Sequence, residues 1–425
     1  MLPPDDAVKL CVIGLGYVGL PLALAFSRHH PVIGFDIDAE RIAELRSGVD
    51  RTLEATPEEL RTSGQLHYTF DPDELAACNV YIVTVPSPID LSQQPDLGAI
   101  RSASELIAKR LDRGDVVIYE STVYPGVTEE VCLPLLERSG LVAGRDFALG
   151  YSPERINPGD KTHKLKDIRK ITAGLTPRCA EFVDRLYSRI IEAGIFRAAS
   201  IATAEMAKVV ENSQRDVNIA LMNELAIMCD HLGLRTFEVL EAAATKWNFL
   251  PFSPGLVGGH CVGVDPYYLI HKSQRVGHHP DLIISGRRIN NSMGTYIARK
   301  VTRMMTQRDI EVTRANVLIL GVSFKENCPD LRNSKVADIY RYLESMVASI
   351  EGFDPLVRGP DSERELGIPL IGEPRQQHYD CIVVNVPHDE FLRRGADWVR
   401  SLCREPRLVY DIKSAFVPDL IDKTL

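Results

Sequence analysis

A glycine-rich turn near the N-terminus constrains the fold more than any other feature of this chain. Residues Gly14–Gly19 read G-L-G-Y-V-G and follow an apolar run, Lys9–Ile13, that predicts a buried strand. A helix-forming segment comes next, and Pro31–Phe35 predicts a second strand that ends at Asp36, 22 residues after Gly14. This order of strand, G-x-G-x-x-G turn, helix, strand and carboxylate is what a dinucleotide site requires. It predicts a parallel, doubly wound α/β sheet that binds a dinucleotide, rather than a glycine turn without a ligand.

Each residue type in the turn has a physical role at such a site. Gly14 allows the tight turn, Gly16 lets a pyrophosphate approach the backbone, and Gly19 lets helix and strand pack closely. The helix N-terminus offers N–H groups to the phosphates. Asp36 accepts a hydrogen bond from a ribose 2′-hydroxyl and repels a 2′-phosphate, which favours NAD over NADP. Arg41 either covers the adenine or lies on the helix surface.

Composition excludes several classes of protein. The 425 residues exceed what one core holds and predict two or three domains. A net charge of −9 argues against a general nucleic-acid or acidic-membrane surface. The nine cysteines are scattered and include no C-x-x-C pair, so we expect neither a disulfide framework nor a metal site. No basic leader precedes the first strand, and we expect a reducing, cytoplasmic location without a membrane anchor.

Two regions of α/β pattern flank a long helical segment. Asn79–Val85 and Asp115–Tyr119 predict further strands of the first sheet. Residues 201–232 lack glycine and proline and predict one helix roughly 45 Å long, which suits a link between two domains. Strand patterns resume in the C-terminal third, at 316–320, 379–385 and 408–412. We therefore predict an α/β protein with two Rossmann-like, doubly wound domains joined by a long central helix.

Cys261 is the one cysteine in an unusual setting. It lies in the run 258–266, G-G-H-C-V-G-V-D-P, where glycines let a substrate approach. A nearby helix N-terminus or Lys208 would favour the thiolate and make it a nucleophile. Asp265 and Pro266 predict a helix N-cap followed by proline at the first helical position. The alternatives are a small buried cysteine and a carboxylate that only caps the helix.

Polar residues on the long helix and at strand ends are further candidates. Lys208 and Asn212 lie four residues apart, hence on one helix face, either as catalysts or as an ion-paired lysine beside an amide. Glu154 is either a general base or a solvated loop carboxylate. Ser121 and Thr122 place hydroxyls at a strand end, where open α/β sheets bind ligands.

Cationic side chains also follow a strand in the C-terminal region. Lys325 ends the run Gly321–Lys325, and Arg332 ends the run Asp330–Arg332. These side chains either meet phosphates or carboxylates, or are solvated loop residues.

In these motifs and their order the chain resembles the nucleotide-sugar 6-dehydrogenases, the UDP-glucose/UDP-N-acetylhexosamine family, over essentially its whole length. The run 246–252, K-W-N-F-L-P-F, leads into 255–261, G-L-V-G-G-H-C, and looks like the N-acetylhexosamine branch. So do 151–155, Y-S-P-E-R, and 286–290, G-R-R-I-N. Within that branch the chain is similar to the enzymes that make UDP-N-acetylhexosaminuronic acids for Vi-antigen and O-antigen polysaccharides.

The resemblance implies an NAD-binding domain over 1–200, a central helical segment over 201–300 that forms a homodimer, and a UDP-sugar-binding α/β domain over 301–425. It implies Cys261 as the nucleophile. It places the other catalytic groups at Lys208, Asn212, Asp265, Glu154 and Thr122. Cofactor contacts are expected at Gly14, Gly16, Tyr17, Val18, Gly19, Asp36, Arg41, Thr84, Ser121, Thr122 and Arg332. Substrate contacts are expected at Glu154, Arg155, Lys208, Asn212, Gly258 and Lys325. We expect no nucleic acid, membrane or metal among the partners.

The implied reaction is an NAD-dependent, four-electron oxidation of the C6 hydroxyl of UDP-GlcNAc or UDP-GalNAc to the uronic acid, through a cysteine thiohemiacetal and thioester. UDP-glucose 6-dehydrogenase is a rival with the same chemistry on another sugar. A two-electron hydroxyacid dehydrogenase would need no cysteine. A non-catalytic sensor of NAD and nucleotide sugars would not need the set of Cys261, Lys208 and Asp265, which is intact.

Overall fold

A computed structural model describes residues 2–90, 92–156, 164–416 and 421–425. The chain divides into two compact units. The first comprises Met1–Glu211 and Tyr267–His278, and the second comprises Asn212–Pro266 and His279–Leu425. Two helices, Ile201–Leu232 and Asp265–Arg275, lie partly in each unit. Within the described ranges, no helix combines the length and the apolar character that a membrane span demands.

The first unit is built on a sheet of eight strands among its described residues. In chain order they are β1 Leu10–Ile13, β2 Val32–Phe35, β3 Leu66–Thr69, β4 Val80–Val83, β5 Val116–Tyr119, β6 Ala148–Tyr151, β7 Lys170–Gly174 and β8 Ile195–Arg197. Their order across the sheet is β3-β2-β1-β4-β5-β6-β7-β8, and every pair is parallel except β6 with β7. The central strands β1, β4 and β5 are buried at every residue, because helices cover both faces of a doubly wound sheet.

The helices of the first unit alternate with these strands, as the sequence predicts for a doubly wound sheet. They are α1 Gly19–Phe26, α2 Ala39–Arg46, α3 Pro57–Thr62, α4 Gly98–Ala108, α5 Leu133–Leu136 and α6 Pro177–Tyr187. The apolar faces of α1 and α6 pack with the sheet in one cluster that includes Phe26, Ile82 and Phe182. The strands whose ends carry the candidate cofactor residues are packed in this core.

The remaining helices follow in the second half of the chain. They are α7 Ile201–Leu232, α8 Thr236–Ala244, α9 Asp265–Arg275, α10 Asp281–Gln307, α11 Val336–Glu344, α12 Gly359–Leu366 and α13 Asp389–Ser401. The predicted long helix over 201–232 is thus observed as α7 with the same bounds.

A second parallel sheet forms the centre of the second unit. Its strands are β9 Asn316–Leu320, β10 Ser349–Phe353, β11 Tyr379–Val384, β12 Cys403–Asp411 and β13 Lys423–Thr424. The order is β10-β9-β11-β12-β13, and all pairs are parallel. Its core includes Val301, Ile319 and Val383. The predicted α/β class, with two Rossmann-like sheets and a long central helix, is confirmed.

In each sheet the chain order reverses around one strand. β1 lies between β2 and β4, and β9 lies between β10 and β11. Ligands of open α/β sheets bind outside the carboxyl ends of strands at such a reversal. Gly14 follows β1 there, and Gly321 follows β9.

Candidate active site

The glycine turn after β1 has the shape that a dinucleotide requires. Gly14 adopts a φ of 96°, which L side chains rarely adopt, and its N–H donates to the carbonyl oxygen of Phe35 at 2.8 Å. A Cβ at Gly19 would overlap the Gly14 carbonyl oxygen, whereas a Cβ at Gly16 would have no heavy atom within 4 Å. The Thr84 hydroxyl donates to the Gly14 oxygen at 2.7 Å. Thr84 therefore holds the turn in place, and the backbone at Gly16 is open to the approach of a pyrophosphate.

Asp36 is hydrogen-bonded to the backbone of this turn and of the residues that follow β2. Asp36 accepts hydrogen bonds from the N–H groups of Leu15 at 2.8 Å and Asp38 at 3.0 Å. Tyr17 and Val18 are half-buried just before α1 begins. Asp36 thus lies at the end of β2, where a ribose hydroxyl would meet it, and the residues present fit NAD.

Arg41 is not the surface residue that one of the two sequence alternatives proposed. It is only 2% exposed, and its Nε donates to the Leu15 carbonyl oxygen at 3.0 Å. Its Nη2 lies 2.7 Å from a carboxylate oxygen of Asp50. A buried guanidinium needs such partners because its desolvation is otherwise costly. Arg41 therefore braces the turn from outside, and a contact with the adenine stays a prediction.

Two hydroxyl side chains and a carboxylate follow directly after β5. The Ser121 hydroxyl donates to the Val85 carbonyl oxygen at 2.7 Å, and Thr122 beside it is half-buried. Glu120 directly precedes them and is fully buried. These residues follow β5 as predicted, on the strand next to β4.

Glu154 belongs to a buried charge cluster of the first unit and is not solvated, which corrects that alternative. The Lys170 ammonium lies 2.6 Å from Glu120 and 3.4 Å from Glu154, and the Tyr187 hydroxyl donates to Glu120. The Glu154 carboxylate also accepts from the N–H groups of Arg155, at 2.6 Å, and Ile156. One lysine thus serves two buried carboxylates.

The neighbours within this cluster shift the pKa values of its two carboxylates in opposite directions. Burial alone would raise the pKa of Glu154, but the Lys170 ammonium, the Ile156 N–H and the Lys208 ammonium hold the pKa below its usual value. Burial raises the pKa of Glu120, because Lys170 compensates only in part and the Glu154 anion opposes a second charge. Glu154 is therefore an anion at neutral pH, as a general base must be.

Lys208 and Arg155 lie in the same unit as this cluster. Lys208 is buried on α7. Arg155 pairs with Glu211 at 2.9 Å and donates to the Arg169 carbonyl oxygen at 2.8 Å. The predicted substrate contacts of Lys208 and Arg155 stay predictions.

In the second unit, Cys261 differs from the other eight cysteines, which are buried, in being half-buried. Its Sγ lies 3.0 Å from Nδ1 of His260. The Cys261 carbonyl oxygen accepts from the N–H groups of Val264 at 2.9 Å and Asp265 at 2.8 Å. The alternative of a small buried cysteine is wrong, because Cys261 is half-buried and lies in a closed turn.

Asp265 opens α9 directly after this turn. The helix begins at Asp265 itself and not at Pro266, so the predicted N-cap is displaced by one residue. Its buried carboxylate accepts from the Asn212 side-chain amide at 2.5 Å. Asp265 therefore does more than cap a helix, because it binds the predicted catalytic amide.

The glycines before Cys261 also serve packing within the second unit. A Cβ at Gly258 would lie 2.8 Å from the Asn333 carbonyl oxygen, and Gly259, with φ 80°, would meet the Phe324 ring at 2.7 Å. The Gly259 N–H donates to the Arg332 carbonyl oxygen at 3.1 Å, and the Asn333 amide donates to the Gly259 oxygen at 3.1 Å. The thiol loop is thereby attached to the segment that follows β9.

That segment holds two predicted ligand contacts. The Arg332 guanidinium pairs with Asp330 at 2.6 Å. The carbonyl oxygen of Lys325, which is half-buried, accepts from the Ser323 hydroxyl at 3.0 Å. The predicted contacts of Arg332 with cofactor, and of Lys325 and Gly258 with substrate, stay predictions.

Sequence reasoning missed residues that hold candidate site residues in place within one unit or the other. They are Glu120, Lys170, Tyr187, Asn223 and Asn333. Lys170 and Glu120 are 50 residues apart in sequence, so no local motif joins them. A lysine at the first residue of a buried strand was the available signal.

Comparison with known proteins settles the family. The NAD binding domain of the UDP-glucose/GDP-mannose dehydrogenase family matches residues 8–191, its central domain matches 202–292, and its UDP binding domain matches 318–418. The chain belongs to this family. It is therefore an NAD-dependent oxidoreductase that acts on the CH–OH group of a nucleotide sugar.

Individual relatives cover almost the whole dehydrogenase. A UDP-N-acetyl-D-glucosamine 6-dehydrogenase of Pseudomonas aeruginosa is 54% identical over 98% of this chain and 99% of its own length. A protein of the same name from Salmonella typhi is 51% identical over 96% of each chain. The solved structure of a UDP-D-ManNAc dehydrogenase from Pyrococcus horikoshii has a TM-score of 0.87 at 31% identity and covers 97% of this chain and 96% of that one.

Proposed function

We propose that this dehydrogenase oxidises the C6 hydroxyl of UDP-N-acetylglucosamine, or of its galacto epimer, to the carboxylate. The observation that carries the proposal is a half-buried thiol, Cys261, in a chain that also has an intact dinucleotide turn. A two-electron dehydrogenase has no use for such a thiol, whereas a four-electron enzyme needs one to hold the aldehyde. The relatives above 50% identity support the N-acetylglucosamine sugar.

The overall reaction balances as one alcohol, one water and two NAD giving one carboxylate, two NADH and three protons. When bound, NAD supplies the hydride acceptor for each oxidation. The turn Gly14–Gly19 and Asp36 would hold it, with Thr84, Ser121 and Thr122 beside it. All other steps fall to side chains of the protein.

Cys261 would carry the substrate between the two oxidations. Its thiolate adds to the C6 aldehyde and forms a C–S bond, giving a thiohemiacetal whose oxidation leaves a thioester. Lys208 and the Asn212 amide donate to the oxyanion, a contribution of about 3 kcal/mol per donor. Water then attacks the thioester carbon, the C–S bond breaks, and the thiolate returns.

Glu154 and Asp265 would handle the protons of this hydrolysis. Glu154 is suited to remove a proton from the attacking water because Lys170 keeps it ionised. Asp265 orients the Asn212 amide toward its task through the 2.5 Å hydrogen bond. Thr122 offers a hydroxyl to position the substrate hydroxyl or the water.

The first test measures NADH formed per sugar consumed, with UDP-GlcNAc, UDP-GalNAc, UDP-ManNAc and UDP-glucose. Two NADH per N-acetylglucosamine or N-acetylgalactosamine sugar is the expected result. Cys261→Ser should abolish turnover and leave NAD affinity unchanged, since the thiol is not part of the dinucleotide turn. Full steady-state turnover of this variant would contradict the covalent scheme.

Other outcomes of the same assay identify the rivals. A response to UDP-glucose alone would make the protein a UDP-glucose 6-dehydrogenase. One NADH per substrate would indicate a two-electron dehydrogenase. No NADH with any sugar, together with intact binding of NAD, would favour the non-catalytic sensor.

We further propose that the uronic acid product enters a surface polysaccharide and that the dehydrogenase is a homodimer. Apolar side chains exposed on α7 support the dimer, including Leu221, Met228 and Leu232 at 50%, 52% and 65% exposure. Light scattering at defined protein concentrations would test the dimer, and a monomer mass at all concentrations would refute it.

A further inference from the structure

Asn223 is a fully buried residue of α7 whose side chain binds the backbone of Gly255. Its Nδ2 donates to the Gly255 carbonyl oxygen at 3.0 Å, and the Gly255 N–H donates to its Oδ1 at 2.8 Å. The second Nδ2 proton is donated to Oδ1 of Asn290 at 2.8 Å. The amide thus uses both donors and its acceptor, so its orientation is fixed.

A buried polar network holds Asn223 in this orientation. Asn290 on α10 donates to the Asp216 backbone oxygen at 2.9 Å and to its carboxylate at 2.7 Å. Arg287 pairs with the same carboxylate at 2.6 Å. These residues are 0–3% exposed. Burying an amide is costly unless it is partnered, and the side-chain nitrogen and oxygen of both Asn223 and Asn290 are hydrogen-bonded here.

The far end of the same loop is also attached to α7. Asn212 donates to Asp265 at 2.5 Å, so the segment from Gly255 to Asp265 is bound at both ends by side chains of one helix. The two asparagines are separated by roughly 16 Å along the helix axis. Cys261 lies between the attached ends, and a third attachment joins Gly259 to Arg332.

We propose that Asn223 is a positioning residue that fixes the thiol loop on α7, with Asn290, Asp216 and Arg287 as its support. The segment before Cys261 cannot move away from α7 at Gly255 without breaking both hydrogen bonds to Asn223. The consequence for turnover rests on the proposed role of Cys261. The attachment of the loop to α7 by Asn223 is independent of that role.

Hydrogen exchange of the full-length protein tests the attachment without substrate. In the wild-type protein the Gly255 amide should exchange at least about a hundredfold more slowly than an unprotected amide. Asn223→Ala should accelerate exchange across 255–264 by about tenfold or more, since both bonds to Gly255 are lost. Peptides from β1 and β4 should be unchanged.

Asn218→Ala is the matched control, because this half-buried asparagine of α7 donates only within its own helix, to Gln214 at 2.7 Å. It should leave exchange across 255–264 at the wild-type rate. In the N-acetylhexosamine assay Asn223→Ala should lower kcat about tenfold or more, with the KM for NAD within about twofold of the wild type, and Asn218→Ala should retain kcat.

Unchanged exchange across 255–264 in Asn223→Ala would overturn the proposal, as would equal acceleration everywhere, which would mean general destabilisation. If that variant fails to fold, the wild-type Gly255 amide still decides, because fast exchange there excludes the attachment. If no UDP-sugar is oxidised by the wild type, the proposed function fails while the exchange result stands.

Discussion

Glu154 illustrates how a single residue acquires its chemistry from partners that are remote in sequence. The residue lies on a loop, yet Lys170 on β7 and two backbone N–H groups keep it ionised in a buried site. Glu120 competes for the same ammonium at the shorter distance of 2.6 Å. Because burial raises the pKa of Glu120 while Lys170 lowers that of Glu154, Glu120 takes up a proton first as the pH falls.

We expect Lys170→Met to shift the acid limb of the kcat/KM profile to higher pH. The substitution removes the ammonium group that lowers the pKa of Glu154, so this pKa rises. Because the base must be ionised, activity is then lost at a higher pH. The measurement is the pH–rate profile of both proteins. Tyr187→Phe, which removes a hydroxyl but no charge, should move the limb less, and a shift to lower pH in Lys170→Met would contradict the assignment.

Individual residues also show where sequence reasoning succeeds and where it stops. Gly14, Gly19 and Asp36 were predictable because their roles follow from spacing within one strand–turn–helix unit. The burial of Arg41 was not, because it depends on Asp50, whose position no period in the sequence reveals. Lys170 was missed for the same reason, since its two carboxylates come from other strands and loops.

At the scale of elements, two glycines of the turn between β1 and α1 have different surroundings. A Cβ at Gly19 meets backbone, and a Cβ at Gly16 meets open space. The two positions therefore form a matched pair in which the same added methyl group tests different properties.

We expect Gly19→Ala to lower the free energy of unfolding by about 1–3 kcal/mol and to weaken NAD binding, since the backbone must shift to accept the methyl group. Gly16→Ala should leave stability within about 0.5 kcal/mol of the wild type and still weaken NAD binding, because its methyl group occupies the space above the turn. Thermal unfolding and NAD titration measure both. Equal stability of the two variants would show that the turn relaxes freely.

Elements with strong local patterns were predictable, and those without them were not. The helix α7 was predicted with its bounds because glycine and proline are absent from it. The antiparallel pairing of β6 with β7 was not predicted, since strand direction depends on the connection and not on the strand. The network under Gly255 joins α7 to α10 through residues 67 positions apart, beyond any helical period.

The whole molecule consists of two compact units that the family assigns to different ligands. The NAD binding domain matches 8–191 and the UDP binding domain matches 318–418. Each ligand should therefore stabilise the unit that holds its site.

We expect NAD, at a free concentration of one hundred times its Kd, to slow hydrogen exchange in the core of the first unit by up to about a hundredfold. UDP at the matching concentration should slow exchange within 318–418 instead. Exchange measured with each ligand alone tests this division. Protection of β1 and β4 by UDP, without protection in the second sheet, would contradict it.

The close approach of Gly19 to the Gly14 carbonyl group should restrict which nucleotide changes the codon for residue 19 tolerates. Every nucleotide change at the first or second position of a glycine codon replaces the glycine, whereas every change at the third position is silent. The codon for residue 19 should therefore vary among natural isolates at its third position alone, because any side chain there collides with the backbone.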